Sequence, residues 1–275
     1  MTNYETELNP QQLEAVQHTN GPLLIIAGAG SGKTRVLTYR ISHLLETVAA
    51  PTEILAITFT NKAAREMRER VESLVGSTAG MWISTFHSAC VRMLRRNGQL
   101  VNCLPGFSIY DDQDQLVVIR ACLKELDLDD KKYHPRAVLS AISKAKNMLQ
   151  GPEEFGSEAK DLYSRRVAEV YKLYAAKLRA NNALDFDDLL AKAVELLETQ
   201  PQVLSYYQNR FKYIHVDEYQ DTNHAQYRWV NLLARAHRNI CVVGDDDQSI
   251  YLFRGADVGN ILDFEKDYPE AKVIK

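Results

Sequence analysis

The chain has 275 residues, 45% of them hydrophobic and 25% charged, and a formal net charge of −3. That length allows one large domain or two modest ones, and the weak net charge excludes a protein that is cationic all over, so any nucleic-acid surface must be local. No apolar run approaches the ~20 residues that span a bilayer and the polar N-terminus lacks a signal-peptide core, so the expected location is cytoplasmic, with Cys90, Cys103, Cys122 and Cys241 as reduced core residues far from any CxxC spacing.

The first apolar run, Leu23–Ala27, reads as a strand and leads into Ala27-Gly28-Ala29-Gly30-Ser31-Gly32-Lys33-Thr34, after which the spacing turns helical. A strand, a glycine loop and a helix start form the context of a phosphate-binding loop. Glycines let several backbone N–H groups point at one anion and the helix start adds its positive end. Lys33 can then reach the β/γ-phosphates of a nucleotide, and the Thr34 hydroxyl can hold Mg²⁺. Ala27 stands where that pattern normally has glycine, and a small residue fits.

Further strand-like runs follow at Ile54–Thr60, Trp82–Ser84 and Phe107–Tyr110, interleaved with helical spacing. This alternation predicts an α/β fold, a parallel sheet with helices on both faces. From Asp112 to Leu184 only helical patterns occur, with Pro135 suited to a helix start and Gly151-Pro152 breaking the run. The expectation is therefore an all-helical subdomain over 112–184 inserted into an α/β domain made of 1–111 and 185–275. Lys and Arg slightly outnumber Asp and Glu in the insert, whereas the remainder is acidic.

The run Tyr213–Val216 ends in Asp217-Glu218-Tyr219-Gln220-Asp221. A carboxylate at the end of a buried strand is where a nucleotide-binding sheet places its magnesium partner, which suits Asp217. Glu218 suits the group that orients and deprotonates the attacking water. A further strand, Ile240–Gly244, runs into Asp245-Asp246-Asp247-Gln248, on the same predicted edge of the sheet. Gln248 can bond a phosphate oxygen or the lytic water without adding charge. The three aspartates lack the glutamate that a calcium loop requires and read as a turn. Ala271–Ile274 is the last predicted strand.

Taken together, LNPQQLEAV (Leu8–Val16), AGAGSGKTRVL (Ala27–Leu37), TFTNKAAREMRERV (Thr58–Val71), WISTFHS (Trp82–Ser88), LDFDDLL (Leu184–Leu190), VDEYQDTN (Val216–Asn223) and VVGDDDQSIYLFRGAD (Val242–Asp257) resemble the N-terminal portion of superfamily 1 DNA helicases of the UvrD/PcrA/Rep type. The segments occur in the family's order and run almost from end to end. The resemblance implies a RecA-like ATPase domain using ATP and Mg²⁺, with Gln12 reading the adenine edge and Arg35 beside the nucleotide. It implies a single-strand DNA path lined by Phe59, Asn61, Lys62, His87, Phe186, Tyr251, Phe253 and Arg254, where rings stack on bases and cations follow the backbone. Phe253 stands where close relatives often have tryptophan.

The implied activity is ATP-driven unwinding of duplex DNA by 3′ to 5′ movement on a single strand. The family continues into a second RecA-like domain that brings an arginine finger and a base-stacking tyrosine. The stretch ending at Lys275 is therefore expected to bind nucleotide weakly and to hydrolyse it poorly or not at all. Two alternatives stay open: a helicase–nuclease of the RecB/AddA kind, which shares these motifs, and, for this stretch alone, a nucleotide-binding interaction module. Repair or replication proteins stay open as partners.

Overall fold

The computed structural model describes residues 4–28, 30–245 and 264–275. Helices α1 (Tyr4–Glu7) and α2 (Pro10–Gln17) precede β1 (Leu23–Ile26), α3 (Lys33–Thr47), β2 (Ile54–Thr58), α4 (Asn61–Val75), β3 (Trp82–Thr85) and α5 (Phe86–Asn97). Next come β4 (Ser108–Tyr110), α6 (Asp112–Glu125), α7 (Pro135–Asn147), α8 (Pro152–Glu158), α9 (Leu162–Ala180), β5 (Ala183–Asp185) and α10 (Phe186–Thr199). The chain closes with α11 (Pro201–Arg210), β6 (Tyr213–Val216), α12 (His224–Ala234), β7 (Ile240–Gly244) and β8 (Lys272–Ile274). Two compact units result, one of residues 1–89 with 200–275 and the other of residues 90–199.

The first unit is built on a six-stranded sheet in the order β3-β2-β6-β7-β1-β8, with every pairing parallel. Parallel strands buried on both faces need apolar residues at consecutive positions, which Leu23–Ile26 and Ile54–Ile57 supply. Alternate positions divide between the faces. Leu23, Ile25, Ile54, Ala56, Tyr213, Cys241 and Val243 share a core with Val36, Leu37, Met67 and Val71 of α3 and α4. On alternate registers, Trp82 meets Tyr207 and Phe211 at ring separations of 6.0 and 4.9 Å, and Phe86 meets Trp229 at 5.9 Å. The covering helices carry strong start signals. Asn9 and Gln12 form a reciprocal capping box on α2, and the Thr60 hydroxyl accepts from the Ala63 N–H to open α4. This is the RecA-like arrangement expected, and its geometry sends β1, β6 and β7 out along one rim.

The second unit packs α6, α7 and α9 around Ile119, Cys122, Val138, Ile142, Val170 and Tyr174. Pro135 opens α7, as its position predicts, and Gly151-Pro152 breaks the run, with Pro152 opening α8. One expectation needs correction. Phe107–Tyr110 contributes no strand to the large sheet: β4 pairs in parallel with β5, Ser108 opposite Ala183 and Tyr110 opposite Asp185, as a separate two-stranded sheet. The stretch read as purely helical therefore ends in a strand. The second compact unit, residues 90–199, is wider than the 112–184 insert, and Tyr110 and Ala183 pack with its helices. All four cysteines are free and buried, and among the described residues no helix is long and apolar enough to cross a membrane.

Candidate active site

The loop after β1 turns on two glycines with left-handed backbone, Gly30 at φ 78° and Gly32 at φ 88°. Gly32 is the N-cap of α3; its left-handed backbone favours glycine, and a Cβ there would sit a tight 3.1 Å from the Gln12 amide nitrogen. The Ala27 N–H donates to the Gly244 carbonyl at 3.1 Å, extending the β1–β7 ladder to the loop's first residue. Lys33, the first residue of α3, donates to Asp245 Oδ2 at 2.8 Å. Asp245 directly follows β7 and is fully buried. The lysine thereby joins the ends of β1 and β7.

Thr34 and Asp217, 183 residues apart, meet when the Thr34 hydroxyl donates to Asp217 Oδ2 at 3.3 Å. The Asp217 N–H continues the β6–β2 ladder by donating to the Ile57 carbonyl at 3.0 Å, which fixes the carboxylate at the strand end. Burial first, and then the neighbouring Glu218 charge, push the Asp217 carboxyl up to about 6. Thr34, Lys33, Arg35, Glu218 and Arg70 of α4 all line one cleft of about 350 Å³. Arg35 is exposed and also pairs with Glu7 at 3.4 Å.

Gly28, Gly30, Ser31, Gly32, Lys33, Thr34, Asp217 and Glu218 lie along one rim of the large sheet. Ala29, Gln248, Tyr251, Phe253 and Arg254 lie outside the described residues. Gln12 is held at both ends: its oxygen accepts from the Asn9 N–H at 3.0 Å and its nitrogen donates to the Ser31 carbonyl at 3.1 Å. It ties α2 to the loop and lines a second hollow of about 260 Å³ with Gln11, Ile25, Ala27 and Lys33.

The expected DNA-path residues divide between the units. Phe59 is half-buried just beyond β2, its ring edge-to-face with Phe86 at 5.5 Å. Asn61 and Lys62 are exposed in the first turn of α4, and half-buried His87 follows β3, so all four gather at the neighbouring strand ends of the same sheet. Phe186 opens α10 of the second unit and is 44% exposed, high for a ring of that size. Three residues escaped the sequence reading. Asp245 looked like one of three turn aspartates, Gln220 sat inside a motif read for its acids, and Arg70 was one of many helix cations. No local pattern marks them, since each gains its neighbours only when distant strands align.

Residues 8–269 match the UvrD/REP helicase N-terminal domain family. The chain belongs to that family. It is 59% identical over 269 residues to the ATP-dependent DNA helicase PcrA of Bacillus subtilis, an alignment covering 97% of this chain and 36% of that protein. PcrA helicases of Staphylococcus epidermidis and Staphylococcus aureus are 58% identical over the same share of this chain and 37% of their own length. The chain thus spans little more than a third of these relatives.

Proposed function

We propose that this chain carries the nucleotide site and part of the DNA path of an ATP-driven DNA helicase that moves 3′ to 5′ along a single strand. The observation that carries the reading is the Thr34–Asp217 contact at 3.3 Å, which completes the loop of Lys33 with acids from a distant strand. Membership of a helicase family supports the choice of motor over interaction module.

ATP is the substrate. Backbone N–H groups of Gly30–Thr34 and the start of α3 receive its phosphates. The Lys33 ammonium has three donors, and Asp245 takes one of them, leaving the others for phosphate oxygens. Among the described residues no group of three or more His, Cys, Asp or Glu is placed to hold a metal ion, so a cage made wholly of protein is not what the donors form. One hydroxyl and one carboxylate suit a hydrated Mg²⁺ that completes its shell with waters and phosphates. Thr34 and Asp217 would hold that ion, which neutralises charge on the phosphate oxygens. Glu218 takes the proton from a water as its oxygen bonds to the γ-phosphorus. The bond from the γ-phosphorus to the bridging oxygen breaks, and ADP leaves with phosphate. Arg35 and Arg70 add positive charge along the cleft.

Phe59 and Phe186 offer stacking surfaces to bases, while Asn61, Lys62 and His87 suit the strand's backbone and edges. Tyr251, Phe253 and Arg254 take the same role, and Gln248 senses the γ-phosphate. On this reading turnover draws on an arginine from a second RecA-like domain, worth ~10³–10⁵ in related NTPases, so this chain alone binds nucleotide and turns it over slowly. A fluorescent ATP analogue titrated into the chain tests the site. Lys33→Ala should abolish binding, and undiminished affinity in that variant would remove the assignment.

A further inference from the structure

Beside the site lies a buried amide, Gln220, that the proposed chemistry does not use. We infer that Gln220 is a positioning residue for hydrolysis: it fixes the Glu218 carboxylate and ties it to the end of β7. The inference rests on the reading of Glu218 as the proton acceptor.

Glu218 has left-handed backbone, φ 51° and ψ 45°. A side chain larger than glycine holds that conformation only where its surroundings enforce it. Immediately after it the chain makes a single 3₁₀ turn, Tyr219–Asp221, closed by the Asp221 N–H donating to the Glu218 carbonyl at 2.9 Å. That turn brings Gln220 back beside Glu218. Gln220 is 3% exposed and uses both ends of its amide. Its Nε2 donates to Glu218 Oε2 at 2.7 Å, and its Oε1 accepts from the Asp245 N–H at 3.1 Å. The amide's orientation follows from its partners: a backbone N–H can only donate, so oxygen faces Asp245 and nitrogen faces the carboxylate.

A continuous path results, from Lys33 through Asp245 and Gln220 to Glu218, each step a hydrogen bond of 2.7–3.1 Å. It links the cation at the phosphates to the acceptor of the water's proton. One Glu218 oxygen is held, and the other is left to meet the water. Among side chains of this length, only an amide supplies a donor at one side and an acceptor at the other. Glutamate would set a second carboxylate against Glu218, and methionine of similar volume would make neither bond.

The test is steady-state ATPase and nucleotide binding in the full-length protein, comparing Gln220→Met, Gln220→Glu, Glu218→Gln and the double variant Glu218→Gln/Gln220→Met. Displacing a reacting group by about 1 Å can cost 10²-fold, so kcat should fall by roughly that factor in both Gln220 variants while nucleotide affinity is unchanged. In the Glu218→Gln background, Gln220→Met should lower kcat no further, because its effect runs through Glu218. Additive losses, an unchanged kcat in Gln220→Met beside an inactive Glu218→Gln, or a parallel loss of nucleotide affinity would each overturn the inference. Should Gln220→Met fail to fold, Gln220→Glu keeps the acceptor for Asp245 and carries the comparison. Full activity in Glu218→Gln would instead sink the reading of Glu218, and the role of Gln220 with it.

Discussion

Each unit encloses one lysine, and the two are surrounded differently. Lys146 of α7 sits between two carboxylates: its ammonium meets Asp185 and Asp188 at 2.7 Å each, and the Tyr174 hydroxyl donates to Asp185 at 2.8 Å. The two aspartates also cap α10 reciprocally, with N–H contacts of 2.8 and 3.1 Å. Burial alone would push the Lys146 ammonium down, but Asp188 and Asp185 together hold it above its ordinary value. Lys33 has one carboxylate partner, Asp245, and borders an open cleft. A cation held between two carboxylates fixes an architecture. One with donors left at an opening is placed for an anion. Exposure alone would not separate them, since their side chains are 4% and 9% exposed.

Substitution separates them. Lys146→Met leaves buried Asp185 and half-buried Asp188 without a counter-charge, and breaking such a cluster costs up to about 3–5 kcal/mol. Urea unfolding of the chain should show that loss, with nucleotide affinity per folded molecule unchanged. If Lys146→Met were neutral, the cluster would not be structural. Lys33→Ala should remove nucleotide binding and also destabilise, because Asp245 loses its partner; adding Asp245→Asn should restore stability and leave binding absent. Recovery of binding in that double variant would break the contrast.

Two smaller effects sharpen it. Phe186→Ala should weaken single-strand DNA binding by the ~1–3 kcal/mol of a base–ring stack, with stability changed by no more than about 0.5 kcal/mol for so exposed a ring. The smallest effect is electrostatic. With its carboxyl raised to about 6, Asp217 keeps a proton in the folded chain that the unfolded chain has already released. Stability therefore falls as pH rises from the ordinary carboxylate range through about 6, while the capacity to hold a cation grows. Lowering pH from about 7.5 to about 5.5 should weaken Mg²⁺-dependent nucleotide binding about fourfold, and Asp217→Asn should flatten that dependence. Isothermal titration across that range decides it.

Much of this was legible in the residues. The phosphate loop carries its own signal because its chemistry is local: glycines, lysine and threonine act within one turn of chain. Strands β1, β2, β3, β6 and β7 were readable because burial on both faces demands apolar runs. Strand β4 was read as a strand but given to the large sheet, and β5 was missed, since three residues carry too little pattern to say which partner they pair with. Asp217 and Glu218 could be read from their place after a strand. The links through Asp245 and Gln220 could not, because they arise only where β6 and β7 lie side by side.

The small β4–β5 pair holds Ser108–Tyr110 against Ala183–Asp185, so four helices, α6 to α9, lie on a loop whose two ends already touch. A segment closed at its neck in this way can be lengthened, shortened or exchanged without rethreading the polypeptide that carries it. The machinery on the large sheet can thereby stay fixed while the appended bundle diverges, a division of labour built into the topology itself.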